Sequence, residues 1–197
     1  KITVQQKNII RDIWKKDSVS LVNTNWLEKK LDKVKIIDCS WHMPQMHRNG
    51  FNEYKNKHIE NAIFFNLDKN SKKNTDLPHM LTDAKSWENI ISNMGIKNDE
   101  QIVVYDNSDI VSSCRCWYNF IYFGHNPELV HVLDGGLRKW IEEAKPTTSD
   151  VITIIPSSYT VYEKKELVKD KKEINENIFE NKFNVIDARS LERFEGK

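Results

Sequence analysis

A chain of 197 residues has room for one complete core and part of another, since domains usually hold about 100–150 residues. Apolar residues make up 39%, and 30 Lys and Arg against 29 Asp and Glu leave a formal charge of +1, which excludes the disordered class and the basic stripe of a nucleic-acid binder. No apolar run reaches the roughly 18 residues of a bilayer span, and Cys39, Cys114 and Cys116 form neither a metal-ligand nor a disulfide framework, which suits a reducing compartment, cytosol or organelle matrix.

The chain opens on Lys1 without an initiator methionine, as a processed product or a fragment would. Residues 1–18 read as a basic, amphipathic N-terminal extension, with a targeting remnant as the lesser alternative. A helix over 24–31 behind the cap-capable Asn23 leads into a strand over 34–37 that Asp38 ends. The stretch 40–57, with His42, Pro44, His47 and Gly50, is expected to be surface loop, followed by a buried strand at 63–65. Ala84, Trp87, Ile90, Ile91 and Met94 mark one face of a helix that Gly95 closes, and 102–105 is the next strand.

A loop at 106–112 joins that strand to a helix carrying Cys114, Trp117, Tyr118, Ile121 and Tyr122, which Gly124 ends. Residues 129–133 give a further strand, Asp134, Gly135 and Gly136 a turn, and Leu137, Trp140, Ile141 and Ala144 a short helix. Such alternation argues for an α/β fold with a parallel sheet, helices on both faces, and functional residues beyond the strands' carboxyl ends, where Asp38 and Asp106 stand. The Pro/Thr/Ser-rich stretch after Glu143 reads as a linker, with a charged helix over 163–174 and a strand over 185–189 beyond it. That last strand, Val185-Ile186-Asp187-Ala188-Arg189, echoes Ile36-Ile37-Asp38-Cys39-Ser40 and suggests a second copy of one fold.

Several motifs occur in order: Leu21-Val22 to Trp26-Leu27, Ile37-Asp38-Cys39-Ser40-Trp41, His58-Ile59 through Phe64-Phe65, Pro78-His79-Met80-Leu81, Val104-Tyr105-Asp106, Arg115-Cys116-Trp117, and Gly124-His125 with Leu133-Asp134-Gly135-Gly136-Leu137. Together they resemble the two-domain rhodaneses, the thiosulfate and 3-mercaptopyruvate sulfurtransferases, and the PHML and LDGGL stretches resemble the mercaptopyruvate branch. The resemblance implies a rhodanese-like first domain over 19–145 with a central parallel sheet flanked by helices, a linker over 146–157, and an incomplete second domain over 158–197. It implies transfer of sulfane sulfur from a small anionic donor, 3-mercaptopyruvate or thiosulfate, to cyanide or a thiol acceptor such as thioredoxin, through a cysteine persulfide and without a cofactor.

In that family the catalytic cysteine heads a loop of backbone amides at a helix N-terminus, which lowers the thiol pKa. Here the corresponding loop begins Asp106-Asn107-Ser108-Asp109, so the resemblance implies a catalytically silent first domain and a nucleophile beyond Lys197. Arg193 matches an arginine expected to pair with the donor's anionic group, and His58 a histidine facing the interdomain cleft. Two departures bear on that cleft: 58–62 lacks the usual Pro-Gly turn, and Asn49 replaces an acid found in many members. A complete but non-catalytic rhodanese-like binding module, or an inactive remnant, is the alternative; a phosphatase-like loop would need a cysteine and a later arginine that this loop lacks.

Plainer roles account for the remaining candidates. Cys114 is expected in the core beside Trp117, and Cys39 at the end of its strand. No spacing among His42, His47 and Cys39 supports a metal, and His79, His125 and His131 fit turn or surface positions. Arg193 can equally be an exposed arginine paired with Glu192 or Glu195.

Overall fold

The computed structural model describes residues 20–197; the N-terminal extension expected at 1–18 lies outside them. Two units follow one another, the first running through Lys164 and the second from Lys165 to Lys197.

The first unit is organised by five short strands, β1 (Leu21–Val22), β2 (Lys35–Asp38), β4 (Ala62–Phe64), β5 (Ile102–Tyr105) and β6 (Val130–Leu133), while β3 (His58–Ile59) pairs elsewhere. The five align in the order β1-β6-β5-β2-β4 with every neighbour parallel, Ile37 lying opposite Val104 and Val104 opposite Val132. Continuous apolar runs such as Ile102-Val103-Val104-Tyr105 are what a sheet buried on both faces demands. Helices supply the cover: α1 (Thr24–Glu28), α2 (Gly50–Asn56), α3 (Leu67–Asn70), α4 (Ala84–Asn93), α5 (Ser112–Tyr122) and α6 (Gly136–Glu142). Because successive strand side chains point to opposite faces, Ile36, Val103 and Tyr105 pack with Leu27, Tyr54, Leu137 and Trp140, whereas Ile37, Ile102 and Val104 pack with Trp87, Ile91, Cys116 and Phe120.

Several expectations need correction. The stretch 40–57 is not all loop: Asn49 accepts the N–H of Asn52 at 2.9 Å and caps α2, whose Tyr54 is buried. Cys114 is exposed and Cys116 takes the core position, because α5 starts at Ser112 and turns its register accordingly. His125 and His131 are buried, not at the surface, each held by polar partners: His125 Nε2 donates to the Glu100 carbonyl at 2.9 Å, and Gln101 Nε2 lies 2.9 Å from His131 Nε2.

Residues 146–164, expected to hold a linker and the start of a second domain, form a strap on the first unit. Strand β7 (Thr147–Thr148) pairs antiparallel with β3, and beyond it Ser157 N–H donates to the Ser92 carbonyl, Tyr162 N–H to Phe123 and Lys164 N–H to Tyr122, at 2.8–3.1 Å. Tyr159 is buried in the core beside His125, its hydroxyl donating to Nδ1 at 3.2 Å. Gly95 (φ +67°) and Gly124 (φ +89°) follow α4 and α5 in left-handed conformations, and a Cβ on them would stand 2.6 Å from the Ile155 carbonyl oxygen and 2.5 Å from that of Tyr162. Each glycine therefore both ends a helix and lets the strap approach.

In the second unit a 3-10 turn at Lys165–Leu167 precedes α7 (Lys171–Glu180), not the helix expected over 163–174, because Asp170 and Glu173 build a reciprocal capping box that sets the start. The final helix is α8 (Leu191–Phe194). Residues 185–189 form no strand: no partner strand occurs among this unit's described residues, and Ile186 is 87% exposed.

Candidate functional site: the Asp106 loop

Strand β5 delivers Asp106 to the carboxyl edge of the sheet, and α5 begins six residues later. Val111, at the cap position of α5, contributes no side-chain hydrogen bond. Asp106 does this work instead: its Oδ2 accepts the N–H of Ser113 at 2.7 Å and its Oδ1 that of Ser108 at 3.1 Å. A carboxylate thus sits where the helix dipole and free amides favour negative charge. The loop is stapled to the end of β2, with Asn107 N–H donating to Ser40 Oγ at 2.9 Å, Trp41 N–H to Ser108 Oγ at 3.0 Å, and Ser112 Oγ to the Cys39 carbonyl at 2.8 Å.

A second layer of charge surrounds it. Arg48 grips Glu53 in a fork, Nε to Oε1 and Nη2 to Oε2 both at 2.7 Å, and also donates to the Asn107 carbonyl at 3.0 Å. Asn107 Nδ2 and His42 Nε2 reach Glu53 Oε2 at 3.1 and 3.2 Å. Burial raises the Glu53 pKa, but Arg48, His42 and Asn107 outweigh it and hold the carboxyl below its ordinary range. Asp109 lies 3.5 Å from Arg48 and 3.4 Å from Arg138, so the loop's second acid is also paired. A cleft of about 600 Å³ opens beside the loop, lined among others by Asp106, Asn107, Ser113, Gly136, Arg138 and Lys139.

Chemically the loop is an anion cradle already filled by its own anion. No thiol stands in it: Cys39 and Cys116 are core residues, and burial together with the Asp106 charge raises the pKa of the exposed Cys114, which disfavours its thiolate. Among the described residues no group of His, Cys, Asp and Glu converges as metal ligands would.

The sequence candidates fall into three places. Asp106, Asn107, Ser108 and Asp109 share the loop. His58 is fully buried in β3, its Nδ1 donating to the Tyr54 carbonyl at 2.6 Å, its ring stacked on Tyr54 at 4.1 Å, and its Nε2 without a hydrogen-bond partner among the described residues. Arg193 is exposed on α8 of the second unit. In that unit Asp187 is clamped by Arg189, which holds its carboxyl at about 2.

Sequence reasoning missed Arg48, Glu53 and Ser113. The signal for the first two was the cap-capable Asn49 ahead of Phe51 and Tyr54 at helical spacing, which announces a helix whose first turn carries Glu53.

A model of the rhodanese-like domain matches residues 23–143. The chain is 35% identical to "Thiosulfate/3-mercaptopyruvate sulfurtransferase 1, mitochondrial" of Arabidopsis thaliana, covering 91% of this chain and 53% of that one. It is 31% identical to 3-mercaptopyruvate sulfurtransferase of Mus musculus, covering 90% and 62%. Among solved structures, SseA from Escherichia coli, a 3-mercaptopyruvate sulfotransferase, superposes with a TM-score of 0.83 at 28% identity over 90% of this chain and 68% of that one. The chain therefore spans little more than half to under two-thirds of the length of these two curated relatives. On the matched domain, the shared parallel sheet and these relatives, the chain belongs to the rhodanese family.

Proposed function

We propose that this chain is part of a sulfurtransferase of the thiosulfate/3-mercaptopyruvate type, in which the first domain is catalytically silent. Its second unit would be the opening of a second rhodanese-like domain, and a cysteine persulfide outside these 197 residues would carry the sulfur. The similarity to sulfurtransferases supports the activity, and the observation that carries the silence of the first domain is the Asp106 carboxylate seated on the amides of Ser108 and Ser113, where a working loop would present a thiolate. A carboxylate holds no sulfane sulfur, and it fills the amides that would receive an anionic donor. Arg193 is proposed to pair with the donor, 3-mercaptopyruvate or thiosulfate, with a thiol such as thioredoxin as acceptor, and His58, enclosed in the first unit, is proposed as a proton-handling group that would have to be uncovered to meet it. The mitochondrial matrix or the cytosol is the proposed compartment, the former following the name of the Arabidopsis relative.

The second reading, a non-catalytic binding module, is favoured by the same filled loop. Native protein from its source cells separates the two through its intact mass, pyruvate release from 3-mercaptopyruvate and thiocyanate formation from thiosulfate and cyanide. A longer chain that turns over either donor supports the enzyme. A native mass equal to these 197 residues without turnover sinks it and leaves the binding module. Turnover by the 197-residue chain alone would overturn the silence of the first domain.

A further inference from the structure

Arg115 carries a part-buried charge that meets only a backbone carbonyl among the described residues of the first unit. It leaves the first turns of α5 toward the 78–81 segment, where Nη2 donates to the carbonyl of His79. Its Nε is buried with no hydrogen-bond partner, and no carboxylate among the described residues pairs with it. A backbone carbonyl offers a dipole but no neutralising charge, and buried guanidinium groups are ordinarily paired. Burial accordingly depresses the Arg115 pKa. The nearby carboxylate of Asp68 is engaged elsewhere, accepting from Trp41 Nε1 at 2.9 Å and lying 2.7 Å from His79 Nε2.

This cation lines a pocket of about 340 Å³ that adjoins the cleft beside Asp106, the two sharing Val111 as a wall. The pocket's other walls are mainly apolar or aromatic: Trp41, Leu67, Pro78, Met80, Ile110 and Val111. Trp41 is fixed by its bond to Asp68 and an edge contact with His79 at 4.7 Å, so one wall is a rigid aromatic surface. Met80, Ile110 and Val111 are exposed, the last by 66%. A volume at the lower end of the roughly 300–1,000 Å³ typical of small-molecule sites, with apolar walls and one convergent charge, defines the ligand chemistry.

We propose that this pocket binds a small organic carboxylate with a flat apolar body, the carboxylate pairing with Arg115 and the body lying against Trp41, Leu67, Pro78 and Met80. The inference does not rest on sulfur transfer: it needs only the unpaired guanidinium and the walls around it.

Benzoate is a suitable probe, titrated into the whole chain while the Arg115 Nε–H and Trp41 Nε1–H resonances are followed by NMR. Saturable shifts with a Kd on the order of 1 mM are expected, which is what a ligand of this size achieves with one ion pair and partial burial. Benzamide, equal in shape but neutral, should bind at least tenfold more weakly. Arg115→Gln should weaken benzoate at least tenfold. Should that variant unfold on losing its hold on His79, Val111→Asp, on the exposed rim, places an internal carboxylate near the guanidinium and should abolish the shifts in a folded chain. Absence of saturation with the native chain, benzamide binding as tightly as benzoate, or benzoate binding unchanged in the folded variant would each overturn the proposal. Inorganic sulfate binding the same resonances as tightly as benzoate would overturn the role of the apolar walls.

Discussion

The carboxylate of Asp106 and the backbone nitrogen of Ser113 stand 2.7 Å apart, and the bond closes the first turn of α5 with a charge from the loop that precedes it. Asp106→Ala should remove this cap and leave the N–H groups of Ser108 and Ser113 free, at a cost of about 1–2 kcal/mol. The emptied amides should then accept an external anion. Sulfate, compared with chloride at equal ionic strength, is expected to raise the melting temperature of the variant more than that of the native chain. Equal responses would show that the loop collapses instead of opening.

Asp38 provides a pH signature. Burial at the end of β2 lifts its pKa from 3.8 to about 6, against the opposing effect of the Ser40 hydroxyl and N–H. A raised pKa means the folded state holds the proton more tightly than the unfolded chain does. Its stabilising contribution is complete below the unfolded value and is lost as pH rises through the folded one. At about 1.4 kcal/mol per pH unit the loss amounts to about 3 kcal/mol. Asp38→Asn keeps the acceptor for Ser40 N–H and should flatten this part of the profile. Urea midpoints of both proteins from about pH 4 to about pH 7 read the difference directly, and parallel profiles would refute it.

Tyr159 tests the strap. Replacing it with Ala removes a buried ring and its bond to His125, with an expected loss of about 3 kcal/mol. A chain covering 20–164 should unfold cooperatively, whereas one ending at residue 145 should expose the core around Trp87 and Phe123 and bind a hydrophobic dye. Equal stability of the two chains would return 146–164 to the status of linker.

Glu53 ties together Arg48, His42 and Asn107. Because its pKa is lowered in the fold, its contribution is present above the unfolded value of 4.5 and disappears as pH falls through the folded one. The carboxylate is partly open to solvent, so Glu53→Gln should cost only about 1 kcal/mol at neutral pH, with larger motion in the Asp106 loop detected by amide exchange at Asn107 and Ser108. Unchanged exchange there would show that the loop is held from β2 alone.

The parallel sheet and α4 were legible because both signals are local. Val103 and Val104 sit in an unbroken apolar run, and Trp87, Ile91 and Met94 repeat at helical spacing behind the Asp83 cap. Helix α2 was harder: its signal is the Asn49 cap and a single apolar pair, Phe51 and Tyr54, next to Gly50 and among polar residues. The strap was not legible, since much of it is extended chain bonded to Ser92, Asn98 and Phe123, partners distant in sequence. His125 and His131 misled for the same reason: their burial depends on acceptors and donors that no short window contains. Within the site, Asp106 was identifiable from its motif, but the amides it caps and the fork between Arg48 and Glu53 exist only once β2, α2 and β5 meet.

The strap also decides where the chain yields. A Pro- and Thr-rich stretch invites the idea of a hinge, and hinges are where proteases first cut. Here Thr147 and Thr148 are paired with β3, and the backbone of Ser157, Tyr162 and Lys164 is bonded to the ends of α4 and α5. Cleavage requires the backbone to lift away, and lifting this one uncovers Tyr159 and the core beneath it. The segment that composition marks as the weakest point is therefore a seam sewn down at both ends, and only its largely exposed middle, 149–156, is left for a protease to reach without lifting Tyr159 from the core.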